Sequence, residues 1–192
     1  MLSVDASPEQ CLNYIDDALK RGVKDHKHPF HQFVLSTFED TQIEQRMLVL
    51  RRWVLNRRTI IFHTDYRSPK ISQLKKNRQC SILFYAKSDN IQLRIKGSVH
   101  IHQHDDLANV FFNEATPNQL KHYEGSIPPS TKIDLESLEN NGDSNTNPKE
   151  HFCVCVCNFN DLELLYLNKK KNIRILYEWD KNSRLTYNYL AP

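Results

Sequence analysis

The sequence predicts a mainly antiparallel β-barrel with helices at its periphery. Three observations carry that reading. Runs with strand composition recur along the chain, at Phe33–Phe38, Ile43–Val54, Thr59–Thr64, Gln79–Tyr85, Ile91–Ile101, Phe152–Leu167, Arg174–Trp179 and Leu185–Leu190. Several are joined by short hairpin turns, such as Glu39-Asp40-Thr41 and Asp180–Ser183. Helix-start signals are few and fall between or outside the runs. The chain has only 4 glycines, so Asn and Asp are expected to fill turn positions.

In order, Ser7-Pro8-Glu9-Gln10 supplies a cap, a first-turn proline and an acidic residue for a helix over about 7–21. Leu12, Ile15, Ala18 and Leu19 form its apolar stripe, and Gly22 is read as its end. Lys24–His31, with His26, His28 and His31 around Pro29, reads as an exposed linker. Ile43–Val54 reads as one strand carrying Arg46 near its start and Arg51-Arg52 near its end. After Thr59–Thr64, Asp65–Pro69 makes a turn and opens a short helix with Ile71 and Leu74 on one face. Gln79–Tyr85 and Ile91–Ile101 follow, with His100, His102 and His104 alternating onto one solvated face.

Asp105-Asp106 begins a helix with Leu107, Val110 and Phe111 as its stripe, and Thr116-Pro117 begins another bearing Leu120 and Tyr123. Periodicity then fails, and about 124–150 reads as a long flexible loop with one possible helical turn at Leu135 and Leu138. Phe152–Leu167 reads as two strand segments interrupted at Asn158–Asp161. Its Cys153, Cys155 and Cys157 alternate with valine, which puts all three on one face as small buried apolar groups.

A chain of 192 residues fits a single domain, 1–192. Its net charge of +3 is ordinary and argues against a nucleic-acid binder. An odd count of 5 cysteines without a CxxC spacing argues against a disulfide scaffold or a zinc site, and no metal is expected. No window approaches the ~20 apolar residues of a membrane span and no stretch reads as a leader, so a cytoplasmic protein is expected. With 39% apolar residues and a mean hydropathy of -0.64, part of the apolar burial is expected to come from a partner subunit.

Arg46 and Lys70 come from different elements and suit an anion: arginine offers a rigid fork of donors and lysine a mobile charge. Thr64 and Ser68 add hydroxyls, and a helix opening at Pro69 adds free amides. Gln92, between Ile91 and Leu93, has an amide able to both donate to and accept from a planar heterocycle.

The runs Arg46-Met47-Leu48-Val49-Leu50-Arg51, Phe62-His63-Thr64-Asp65, Arg67-Ser68-x-Lys70, Gln73-Leu74 with Asn77, and Gln92-Leu93-Arg94-Ile95-x-Gly97 occur in that order. They resemble the pyridoxamine 5'-phosphate oxidase family and its FMN-binding split-barrel relatives. Glu163–Leu167, Arg174 and Leu190-Ala191-Pro192 extend the resemblance. It implies a Greek-key-like split barrel and a homodimer with FMN at the subunit interface, acting on a small-molecule substrate. Arg46, Lys70, Ser68 and Arg67 would take the FMN phosphate, within a binding set that also includes Met47, Leu48 and Val49. His63 and Thr64 would line the flavin, Gln92 would meet its edge, Arg51 would sit near the ring and substrate, and Arg174 would come from the other subunit.

The chain also departs from the true oxidase. Pro69 stands where a basic residue is expected, Phe111 and Ala115 where a substrate Tyr and Arg belong, and Lys170 and Asn172 where basic and histidine positions fall. The tryptophan and glutamine-serine signals are missing around Tyr123–Ser130. The resemblance therefore implies a divergent member that retains flavin without pyridoxamine phosphate oxidation. No catalytic residue is assigned, His63 being the nearest candidate acid. An FMN-dependent oxidoreductase is the leading expectation; a haem or flavin carrier and a cofactor-free structural dimer are the alternatives.

Overall fold

The computed structural model describes residues 2–135 and 146–192. Leu138 and the central part of the 124–150 loop lie outside those residues. Nine strands make up one antiparallel sheet: β1 (Gln32–Glu39), β2 (Gln42–Val49), β3 (Arg52–Val54), β4 (Thr59–Asp65), β5 (Gln79–Ala86), β6 (Ile91–His102), β7 (Phe152–Tyr166), β8 (Ile173–Trp179) and β9 (Leu185–Tyr189). Their order is β2-β1-β5-β6-β7-β4-β3, with β8 branching from β7 and β9 following it. β2 comes close to β4 but forms no ladder with it, so the barrel is split rather than closed. Helices α1 (Pro8–Lys24), α2 (Pro69–Lys76), α3 (Asp106–Glu114), α4 (Pro117–Leu120) and α5 (Pro148–His151) lie around it. No described helix is long and apolar enough to cross a membrane.

The long β7 creates the branch. One half of its free edge, from Phe152 to Asn158, pairs with β4, and the other half, from Asp161 to Tyr166, pairs with β8. Along its opposite edge it pairs with β6, with a register shift opposite Lys96/Gly97 that leaves Asn160 as the extra residue. The predicted interruption at Asn158–Asp161 is therefore a β-bulge inside one continuous strand. The polar side chains that read as a turn are taken up by the bulge, and Asn158 Oδ1 accepts from Thr59 Oγ1 at 3.1 Å.

The predicted strand Ile43–Val54 is two strands. Leu50, fully buried, donates its amide to His31 O at 2.8 Å, and the Arg51 amide donates to Ile61 O at 2.9 Å. Here the chain leaves one edge of the sheet, where β2 pairs with β1, and joins the other, where β3 pairs with β4.

The N-terminal helix keeps its predicted start, with a capping box between Ser7 and Gln10, but runs through Gly22 to Lys24. Gly22 serves packing rather than termination: a Cβ there would lie 2.6 Å from Phe30 O. The linker read as exposed is anchored as well. Phe30 is buried and meets Phe84 edge-on at 5.7 Å, and His31 Nδ1 lies 2.7 Å from Gly22 O. His100, His102 and His104 do not all share one strand face, because β6 ends at His102 and His104 lies beyond it at φ 58°; His102 Nδ1 pairs with Asp105 at 2.8 Å.

The inward-facing residues of the strands and the apolar stripe of α1 form the main core. Cys153, Cys155 and Cys157 all belong to it, as predicted. Cys157 Sγ lies 3.6 Å from Cys80 Sγ, at a level where β6 presents only Gly97. Contact with Cys80 and burial push the Cys157 thiol well above its ordinary range, and contact with Cys153 and burial do the same for Cys155. A second, smaller core joins Ile61, Ala108, Phe111, Tyr123, Phe152 and Val154 on the other side of β4.

Candidate functional site

β4 lies between the two cores, and its pleat divides its residues. Ile60 and Phe62 face the main core and Ile61 the smaller one. Thr64 follows the Phe62 side, whereas the His63 ring contacts Phe111 and Phe152 edge-on at 5.3 and 4.8 Å. His63 Nε2 is buried without a partner among the described residues. Burial, followed by the nearby charges of Arg51 and Arg52, drives its pKa down to about 3. The imidazole thus faces the α3 side, and only the backbone of His63 runs beside Thr64.

Lys70, in the first turn of α2, donates to Thr64 Oγ1 at 2.9 Å and to Ser68 Oγ at 2.8 Å. Ser68 is the residue before the helix but makes no capping bond, because its hydroxyl faces the lysine. Pro69 has no N–H and the Ile71 amide donates to Ser68 O at 2.9 Å, so in the first turn of α2 the Lys70 amide is left without a side-chain acceptor. Arg46 lies in β2 opposite Leu35, on the inward face, while Met47 points outward. Its Nη1 donates to Thr37 Oγ1 and, at 3.1 Å, to Glu44 O; its Nη2 donates to Gln73 Oε1 at 3.0 Å.

Arg46 and Lys70 line one cleft of about 450 Å³ together with Pro69, Gln73, Gln45, Ser130, Glu39 and Glu44. Glu39 pairs with Lys76 at 3.5 Å. Neither Arg46 nor Lys70 has a carboxylate partner among the described residues. Burial lowers the pKa of both, and for Lys70 the charge of Arg46 is the next cause. Two desolvated cations that repel each other therefore line one cleft.

The other sequence-predicted residues are placed differently. Arg67 is held by Asp65, with Nη2 at 2.7 Å and Nε at 3.0 Å from its carboxylate oxygens, and Nη1 reaches Ser126 O at 3.1 Å. Leu48 packs on the main core, and Val49 is half-buried beside it at the end of β2. Arg51 is half-buried near Tyr123 and His63, and burial lowers its pKa. Gln92 and Arg174 flank Leu165 in one row across β6, β7 and β8, on the outward face. Arg174 Nη2 is paired with Glu163 at 2.9 Å. A single chain therefore brings Thr64, Ser68, Lys70 and Arg46 together and leaves Gln92 and Arg174 on the other face of the sheet. Thr37 and Gln73, which contact Arg46, carried no site assignment from the sequence, since nothing there shows that two neutral residues 36 positions apart share an acceptor network.

The fold is an antiparallel split barrel, and its cleft presents Arg46 and Lys70. Residues 12–103 match the family model described as pyridoxamine 5'-phosphate oxidase, FMN-binding domain. That stretch of the chain is similar to the FMN-binding domain of the pyridoxamine 5'-phosphate oxidase family. A pyridoxine/pyridoxamine 5'-phosphate oxidase of Colwellia psychrerythraea is 27% identical over 139 residues, which are 72% of this chain and 62% of that protein. The chain thus spans less than two thirds of that relative.

Two solved structures share the fold. A pyridoxamine 5'-phosphate oxidase-related, FMN-binding protein of Nostoc punctiforme superposes with a TM-score of 0.80 at 20% identity, covering 98% of this chain and 100% of that one. PhzG of Burkholderia lata, solved with tetrahydrophenazine-1-carboxylic acid, gives 0.77 at 18% identity, covering 100% and 98%.

Proposed function

We propose that the chain binds FMN by its phosphate in the Arg46–Lys70 cleft and acts, as a homodimer, as an FMN-dependent oxidoreductase on a small molecule. The observation that carries this reading is the convergence of two desolvated cations on one cleft without a carboxylate partner. The donor set fits a phosphate: a rigid guanidinium, an ammonium steadied by two hydroxyls, and the Lys70 amide in the first turn of α2. Bound FMN supplies hydride chemistry at its ring, and the protein supplies binding, orientation and electrostatics.

In this reading Arg46 and Lys70 neutralise the phosphate, and Thr64 and Ser68 hold the Lys70 ammonium toward it. The backbone at Met47–Val49 and at His63–Thr64 lines the ring. Arg51, desolvated beside it, opposes negative charge where the ring gains electrons. Arg67 steadies the turn before α2 through Asp65. Gln92 and Arg174 reach the cofactor across a subunit contact, which accounts for their place on the outward face. That face also carries Met47 and Tyr85, 56% and 51% exposed, as apolar surface for such a contact.

The test is a titration of wild type, Arg46→Ala, Lys70→Ala and the double variant with FMN and with riboflavin, followed by flavin absorbance. Wild type is expected to bind FMN, and each lost cation to weaken it about 10- to 100-fold, with riboflavin unaffected. Wild type that does not bind FMN, or a double variant that binds it undiminished, overturns the reading. Light-scattering mass of the loaded protein checks the dimer.

A further inference from the structure

We infer that Thr37 and Gln73 are positioning residues for Arg46, and that Gln73 is an amide rather than a carboxylate so that the guanidinium keeps its charge for the anion. The inference rests on the phosphate site proposed above. Thr37 and Gln73 are 1% and 3% exposed, so their polar atoms have no access to bulk water and must be satisfied internally. They come from β1 and α2 and meet at 2.6 Å, with the Thr37 hydroxyl donating to Gln73 Oε1.

The proton directions follow from Arg46, which can only donate. Its Nη1 donates to the Thr37 hydroxyl, so that hydroxyl's own hydrogen is free to go to Gln73 Oε1. Its Nη2 donates to the same Oε1, which requires the amide oxygen, not the amide nitrogen, to face the guanidinium. A closed ring of three hydrogen bonds results. Together with Glu44 O it occupies both Nη1 hydrogens and one Nη2 hydrogen.

The two remaining donors are Nε–H and the second Nη2–H, which lie parallel along one side of the guanidinium. No described residue accepts from them. That pair is the fork that matches two oxygens of a phosphate, and the clamp leaves it unengaged by β1 and by Gln73.

Chemistry makes the choice of an amide at position 73 consequential. A glutamate has nearly the same shape and would bind Arg46 more strongly, because the bonds would be charge-assisted. It would also neutralise the charge that the cleft presents to a dianion. Glutamine supplies the orientation without the counter-charge, and Thr37 completes it with a hydroxyl that accepts from arginine and donates to the amide.

The experiment compares wild type with Gln73→Glu, Gln73→Met, Thr37→Val and Thr37→Ser by FMN and riboflavin titration, with thermal unfolding of each. Gln73→Glu is expected to stay folded and lose at least tenfold in FMN affinity with riboflavin affinity unchanged. The FMN-to-riboflavin ratio isolates the phosphate, and a merely structural role would lower both affinities together. Gln73→Met and Thr37→Val are expected to lower the ratio several-fold, and Thr37→Ser, which keeps the hydroxyl, to restore it. If Gln73→Glu unfolds, the Thr37→Val and Thr37→Ser pair decides by the same ratio. Wild type that binds FMN through Arg46 while the Gln73 and Thr37 variants keep its ratio overturns the inference alone. Wild type without FMN affinity overturns the phosphate site, and the inference with it.

Discussion

His63→Phe tests whether the smaller core carries a buried, neutral imidazole. In the folded chain the ring titrates at about 3, against an ordinary value of 6.5, because burial and then Arg51 and Arg52 disfavour its charge. Tyr123, also in that core, is held neutral by burial. The direction follows from linkage: between pH 3 and 6.5 the unfolded chain binds a proton at this position and the folded chain does not. Stability from this group is therefore complete above pH 6.5 and is lost as pH falls toward 3, with a slope approaching ~1.4 kcal/mol per pH unit. Going from pH 7.5 to 4.5 crosses about two units of that window, a loss of about 3 kcal/mol.

Phenylalanine keeps the edge-on contacts with Phe111 and Phe152 and removes both the titration and the unpartnered Nε2. An orphaned buried polar atom costs about 1–3 kcal/mol, so the variant is expected to match or exceed wild type at pH 7.5. Urea unfolding of both proteins at pH 7.5, 6.0 and 4.5 is the assay, and the difference between them cancels the titration of every other group. That difference should widen by about 3 kcal/mol between pH 7.5 and 4.5. A constant difference would refute the neutral-imidazole account.

Two further outcomes follow from packing. Gly97→Ala would place a Cβ 2.5 Å from Cys157 Sγ and 2.8 Å from Asn158 O, so a loss of about 1–3 kcal/mol is expected, seen as a Tm several degrees lower. Adding Cys157→Ala should recover only part of it, since the Asn158 carbonyl is backbone; an unchanged Tm in Gly97→Ala would contradict the close approach. Arg67→Ala removes the guanidinium from Asp65, whose side chain is 6% exposed and keeps the residue-67 amide at 2.8 Å, and should destabilise by about 1–3 kcal/mol. Asp65→Asn in the same chain should return most of that stability, and equal unfolding midpoints for Arg67→Ala and wild type would show that the pair contributes nothing.

Much of the site was legible because its signals are local. Pro69 after a turn marks the start of α2, and Arg46 and Lys70, which line the cleft, stand out by residue type alone. What was not legible depends on contacts across the fold. The break between β2 and β3 at Leu50-Arg51 has no turn residue, because the chain changes sheet edge there without reversing sharply. Asn158–Asp161 carries turn composition yet sits in a strand, since a bulge absorbs one residue. Gly22 looked like a helix terminator and is instead the gap into which the Phe30 backbone fits. Arg67 reads as a phosphate ligand by sequence, and its pair with Asp65 in the fold is not visible there as such. The Gln73 run was visible as part of a resemblance, but its bond to Arg46 required β1, β2 and α2 to meet.

The turns of this protein carry a further consequence. None of the described glycines has a positive φ, whereas Asp40, Arg58, Asn90, His104, Ser130 and Ser183 all do. Left-handed backbone is disfavoured for residues with a Cβ by roughly 1 kcal/mol or more, less so for Asn and Asp. Arg58 and Ser183 close loops between strands and contribute nothing to the cleft, so their conformations are a reserve of unrealised stability. A more heat-resistant form of this protein is therefore within reach of loop changes alone, with core and cleft untouched.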